Sequence, residues 1–215
     1  MRSFLLALGL LATSLLASET TVAGPSADEV LARLMEGNRR FAEGKLVHPH
    51  QTVDRRAEVA QGQKPVAIVL TCSDSRVSPE LYFDQGLGDL FVIRNAGNVL
   101  DDHVLGSIEY AVEHLGSPLI IVVGHEKCGA VAATVAGGHA PGHIHSIVES
   151  IQPAVAASRD EAGDKVENAV RANARRMAAS LAKCEPLIDV AARSGKVKVV
   201  AARYDLGTGR IELLR

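Results

Sequence analysis

Val66-Ala67-Ile68-Val69-Leu70-Thr71 is a short run, apolar to its penultimate residue and rich in branched side chains, that begins after Pro65 and leads into Cys72. A run of this length without polar alternation suits a strand buried on both faces, as inside a parallel sheet. Three further runs have the same character, at residues 90–93, 119–123 and 197–201. Residues 104–115, between the second and third runs, and residues 129–135, after the third, have helix-forming composition. Strands alternating with helices predict βαβ units, so the fold class is α/β, with a mostly parallel central sheet flanked by helices. Gly207-Thr208-Gly209 separates residues 197–204 from 211–214, a hairpin signal that adds an antiparallel edge strand.

Upstream, Val30, Leu31, Leu34 and Phe41 recur at helical spacing after Ser26, with acidic residues in the first turn, which predicts an amphipathic helix over residues 28–41. Residues 44–64 are mostly polar and read as loop with at most a short helix. The charged, Gly-containing stretch 159–164 reads as a connection between helices. Arg2, the apolar run of residues 4–17 and the small residues Thr21-Val22-Ala23-Gly24 have the layout of a secretory signal peptide, with cleavage expected after Ala23. The apolar run falls short of the roughly 20 residues that a membrane-spanning helix needs. Residues 24–215 then form one domain, as a chain of 215 residues leaves little for a second core.

With 47% hydrophobic residues, 22% charged residues and a formal net charge of -2, the chain has no general attraction for polyanions or acidic membranes. Aromatic residues make up 3% and Trp is absent, which removes the usual stacking platforms for bases and points to a small ligand. Cys72, Cys128 and Cys184 are odd in number and too few for a disulfide framework. Cys184 continues the helical spacing of Val166, Val170, Ala174, Met177 and Leu181 and is expected as a small buried hydrophobe.

Cys72 follows the first strand run, and His125 and Cys128 follow the third across Gly124. Carboxyl ends of parallel strands are where ligands gather in such sheets. Two thiolates and an imidazole with a fourth position open make a catalytic zinc set, whereas a structural site closes with four protein ligands. A His-x-x-Cys pair also arises by chance, and a redox pair is a rival for an exported protein, although no Cys-x-x-Cys motif supports it.

Cys72-Ser73-Asp74-Ser75-Arg76, taken with Gly124-His125-Glu126-Lys127-Cys128-Gly129, resembles the zinc-binding signatures of the β-class carbonic anhydrases. Gly37-Asn38-Arg39-Arg40-Phe41, Phe91-Val92-Ile93-Arg94-Asn95-Ala96-Gly97-Asn98 and Ile108-Glu109-Tyr110 resemble further family segments. The resemblance implies a Zn2+ enzyme for reversible hydration of carbon dioxide to bicarbonate and a proton, through attack by zinc-bound hydroxide. It implies Cys72, His125 and Cys128 as ligands, and Asp74 and Arg76 as a dyad beside the bound water, with Asp74 able to ligate zinc in a closed state. In the plant-type branch it implies a substrate pocket of Gln63, Phe91, Tyr110 and the Gly129 N–H, with Tyr110 supplied from a neighbouring subunit. Ala96 stands where that branch carries a larger aliphatic residue.

It further implies a homodimer or higher oligomer embraced by an N-terminal helical arm, which the export signal would place in the periplasm. His48, His50, His103, His114, His139, His143 and His145 are candidates to carry the proton away. His143 and His145 could instead bind a second metal, although a surface loop explains them. Two rival functions share these residues: hydrolysis of carbon disulfide or carbonyl sulfide on the same fold, and zinc storage without turnover. Storage needs none of Asp74, Arg76 and Gln63.

Overall fold

The computed structural model describes residues 24–137 and 140–215. Strands β1 (Ala67–Cys72), β2 (Leu90–Asn95), β3 (Leu119–His125), β4 (Lys198–Tyr204) and β5 (Ile211–Leu214) form one sheet in the order β2-β1-β3-β4-β5. The first four are parallel, and β5 returns antiparallel along β4 with Ile211 opposite Tyr204. The expected α/β class and antiparallel edge strand are both present. Every residue of β1 and β3 is buried, which is why their sequences lack polar alternation.

Helices α1 (Ala27–Ala42), α2 (Val53–Val59), α3 (Pro79–Tyr82), α4 (Asp102–His114), α5 (Gly129–Ala136), α6 (Ile144–Ala157), α7 (Lys165–Leu181) and α8 (Leu187–Arg193) surround the sheet. One face packs Ala67, Val69, Ile121 and Val123 against Val30 and Leu34 of α1 and against Tyr82 and Phe83. The other packs Ile68, Leu70, Ile120 and Val122 against α4, α8 and the C-terminal part of α7. Ser26 and Glu29 cap α1 reciprocally, as the acidic first turn foretold. Burial of Val30 and Leu34, at about 1.5–3 kcal/mol each, fixes α1 to its own sheet. Any contact of α1 with a partner must therefore use its outer face.

Cys184 differs from expectation. α7 ends at Leu181 and Cys184 lies in the turn beyond it, only partly buried against the second core. The apolar spacing carries past the helix end because Cys184 still leans on that core from the turn. The proposed signal peptide and His139 lie outside the described residues. No helix among the described residues is long and apolar enough to cross a membrane.

Candidate metal centre

After β1 the chain moves to β2 on one side, then returns to place β3 on the other side of β1. The order therefore reverses between β1 and β3, and the crevice at their carboxyl ends is where such folds bind ligands. β1 ends at Cys72 and β3 at His125, but their pairing stops at Thr71 and Val123. The strands thus part where the site begins. Lys127, with φ of 53°, turns the chain sharply so that Cys128 comes back toward the two strand ends at the N-terminus of α5.

The ligand atoms of Cys72, His125 and Cys128 all lie within 4.8 Å of one another, and the three residues are 5%, 0% and 1% exposed. Tetrahedral zinc with bonds of about 2.0–2.3 Å needs ligand atoms about 3.3–3.8 Å apart, so only a small contraction is required. His125 Nδ1 lies 2.9 Å from the Glu126 carbonyl oxygen, which can only accept, so Nδ1 carries the proton and Nε2 keeps its lone pair. That Nε2 is buried without a hydrogen-bond partner. A buried orphan acceptor is costly, and a cation among these atoms removes the cost.

The two sulfurs are prepared for the same role. The neighbouring Cys128 thiol holds Cys72 well below the ordinary thiol range against the opposing effect of burial, and the Gly97 N–H, 3.4 Å from the Cys72 sulfur, adds to it. Cys128, keeping the shared proton and buried, is pushed up. A divalent cation held by Cys72, His125 and Cys128 would take the place of that proton. Cys128 also occupies the N-cap of α5 with no side-chain cap bond, where the helix dipole favours a thiolate. All three cysteines are free thiols.

Beside this group, Asp74 accepts from Arg76 Nε at 2.8 Å, Nη2 at 2.7 Å and the backbone N–H at 3.0 Å. The side-chain bond to Arg76 is the main reason its carboxyl lies well below the usual range. Asp74 Oδ2 stands 3.9 Å from His125 Nε2, next to the group but outside it. Gly129 is the first exposed residue after the buried ligands, and a Cβ built there meets nothing within 4 Å. Its N–H, in the first turn of α5, has no intrahelical acceptor.

Within one chain the rest of the expected pocket is elsewhere. Gln63 precedes β1 and is exposed, whereas Cys72 ends that strand, roughly 16 Å further along it. Phe91 pairs with Ile68, four residues or about 13 Å short of the Cys72 level, and packs on the other face beside Tyr110. Strand direction, invisible to spacing alone, separates these residues from their own metal centre. Besides His125, no described histidine hydrogen-bonds to the group; His50 is engaged by Asp89 at 2.8 Å and His145 by Glu149 at 3.1 Å.

Several supporting residues were not assigned roles from sequence. Arg94 donates to the carbonyls of Cys72 and Asp74 at 3.0 and 2.7 Å, and the Gly97 N–H points to Cys72 Sγ at 3.4 Å. Glu126 ties the His125–Cys128 turn to the Leu206 N–H at 3.1 Å. Asn173 donates to the Gly97 carbonyl at 2.9 Å. Its one sequence signal is an amide in the apolar stripe of α7, at the spacing of Val170, Ala174 and Met177.

A family model described as carbonic anhydrase matches residues 67–211. Carbonic anhydrase 2 of Mycobacterium tuberculosis is 44% identical over 184 residues, covering 84% of this chain and 89% of that one. A carbonic anhydrase of Mycolicibacterium smegmatis is 42% identical over 195 residues, covering 88% and 95%. Among solved structures, a tetrameric β-carbonic anhydrase of Sordaria macrospora superposes with a TM-score of 0.69 at 27% identity, covering 86% of this chain and 96% of that one.

Proposed function

Because this chain belongs to the β-class carbonic anhydrases and catalyses reversible hydration of carbon dioxide to bicarbonate and a proton, we propose how its own residues divide that work. Cys72, His125 and Cys128 hold zinc; the orphaned, fully buried Nε2 of His125 between two thiols is the observation that carries this. Zinc, when bound, supplies the Lewis acidity that makes water a nucleophile near neutral pH. Asp74, clamped and ionised by Arg76, can only accept a hydrogen bond, so it orients the attacking water and leaves a lone pair free for the carbon. The Gly129 N–H is placed to bind a substrate oxygen. With Asp74 turned to Arg76, the geometry favours the open arrangement over direct ligation by Asp74.

We further propose a homodimer or higher oligomer in which Gln63, Phe91 and Tyr110 serve a second subunit's metal centre. Their distance from their own site supports it, as do the exposed apolar side chains Val47, Val53, Leu81, Leu87 and Tyr110. The tetrameric relative adds to the case. Export to the periplasm is proposed from residues 1–23, and N-terminal sequencing of protein from that compartment tests it. Recovery of the full-length chain from the cytoplasm alone would contradict it.

Metal analysis of purified Cys72→Ser, His125→Ala and Cys128→Ser tests the ligand set. Each is expected to lose stoichiometric zinc while Cys184→Ser retains it. Full zinc in any of the first three would remove that residue from the set.

A further inference from the structure

Asn173 is 1% exposed in the stripe of α7 that faces the sheet. Its Nδ2 donates to the Gly97 carbonyl at 2.9 Å, while its Oδ1 is buried without a partner. An apolar side chain would fit that stripe without the unpaired acceptor, so the amide's return lies in what it does to Gly97. Gly97 sits in the turn after β2 with φ of 76° and ψ of 12°, and its N–H lies 3.4 Å from Cys72 Sγ. Asn95 pins both ends of the turn through two bonds of 2.9 Å to the backbone of Val99. Ile151 and Ala130 close over its middle and leave room for no side chain there: a Cβ on Gly97 would lie 2.7 and 3.2 Å from them. Asn173 is the side-chain hold on the centre of the turn.

We propose that Asn173 is a positioning residue for the metal centre: through the Gly97 carbonyl it keeps the Gly97 N–H on the Cys72 sulfur and so sets the strength of that sulfur's bond to zinc. An N–H donor behind the sulfur fixes where its remaining lone pairs point, and outer groups that orient a metal ligand in this way raise its affinity. The inference rests on Cys72 being a zinc ligand.

Asn173→Leu keeps the side chain's branching and heavy-atom count and suits the stripe. The measurements are thermal unfolding, zinc affinity by chelator competition, and the thiolate-to-cobalt absorption of the Co(II)-loaded protein. The expected variant folds, unfolds close to the wild-type temperature because shedding the unpaired Oδ1 offsets leaving the Gly97 carbonyl without its donor, binds zinc roughly tenfold more weakly and shifts the cobalt absorption. Unchanged affinity and absorption in a folded variant would make Asn173 merely structural and overturn the proposal. Should Asn173→Leu not fold, the 113Cd-loaded wild type decides: scalar coupling between the Gly97 amide proton and cadmium through sulfur is expected, and its absence overturns the proposal. A wild type that holds no metal would fail the zinc reading itself, whereas metal binding indifferent to Asn173 fails this inference alone.

Discussion

Asp74 and Arg76, two residues apart, meet as fork and carboxylate, with Nε to Oδ1 at 2.8 Å and Nη2 to Oδ2 at 2.7 Å. A planar guanidinium fits this pairing and an ammonium does not. Asp74→Asn puts an amide where an acceptor-only group is needed. Carbon dioxide hydration by stopped flow should fall about 10- to 100-fold with zinc content unchanged. Arg76→Lys should fall less. Wild-type rates in Asp74→Asn would remove Asp74 from the mechanism.

The separation of Gln63 from its own Cys72 along β1 allows a complementation test. Gln63→Ala and Cys128→Ser chains, each deficient alone, should regain activity when co-expressed. A mixed pair has one centre with all three ligands that also receives the glutamine of the Cys128→Ser chain. No gain over the two separate variants would show that Gln63 does not cross between subunits.

Acid stability should depend on Asp84. Its side chain is 1% exposed, and burial alone would raise its pKa, but Arg40 at 2.6 Å and the N–H groups of Val47 and His48 outweigh burial and bring it below the ordinary value. The unfolded chain therefore takes up the proton first as pH falls. Stability contributed by Asp84 is complete above the unfolded pKa of about 4 and is lost as pH drops through the lower folded value. Asp84→Asn should cost about 3 kcal/mol at pH 7 in urea unfolding, and the gap from wild type should narrow below about pH 4. A gap independent of pH would assign the cost to packing.

Gly97→Ala should destabilise by about 1–2 kcal/mol, because φ of 76° is left-handed backbone. Removing the Ile151 Cδ1 contact with Ile151→Val should not recover that loss, since the contact is the flexible end of a side chain and the backbone strain stays. Recovery in the double variant, read by chemical denaturation, would make crowding the dominant cause.

The sheet was legible because its central strands are buried on both faces, so residues 66–70 and 119–123 carry unbroken apolar runs. The first helix was legible from Ser26 and its acidic first turn. The clustering of Cys72, His125 and Cys128 was readable because Cys72 and His125 stand where two such runs stop. Gln63, Phe91 and Tyr110 could be named by resemblance but not placed, since their distance from the site depends on strand direction and register. Asn173 stayed hidden because one amide in an apolar stripe has no local pattern, and its partner Gly97 lies 76 residues away. Cys184 misled because apolar spacing continues past the point where α7 ends.

The most direct test measures zinc content and carbon dioxide hydration in the same preparations of wild type and Cys128→Ser, before and after the metal is stripped and restored. One zinc per wild-type chain, with hydration lost on stripping and regained on restoring zinc, and neither zinc nor hydration in Cys128→Ser, is the predicted result. Hydration that persists in zinc-free protein or in Cys128→Ser would contradict the account at its centre.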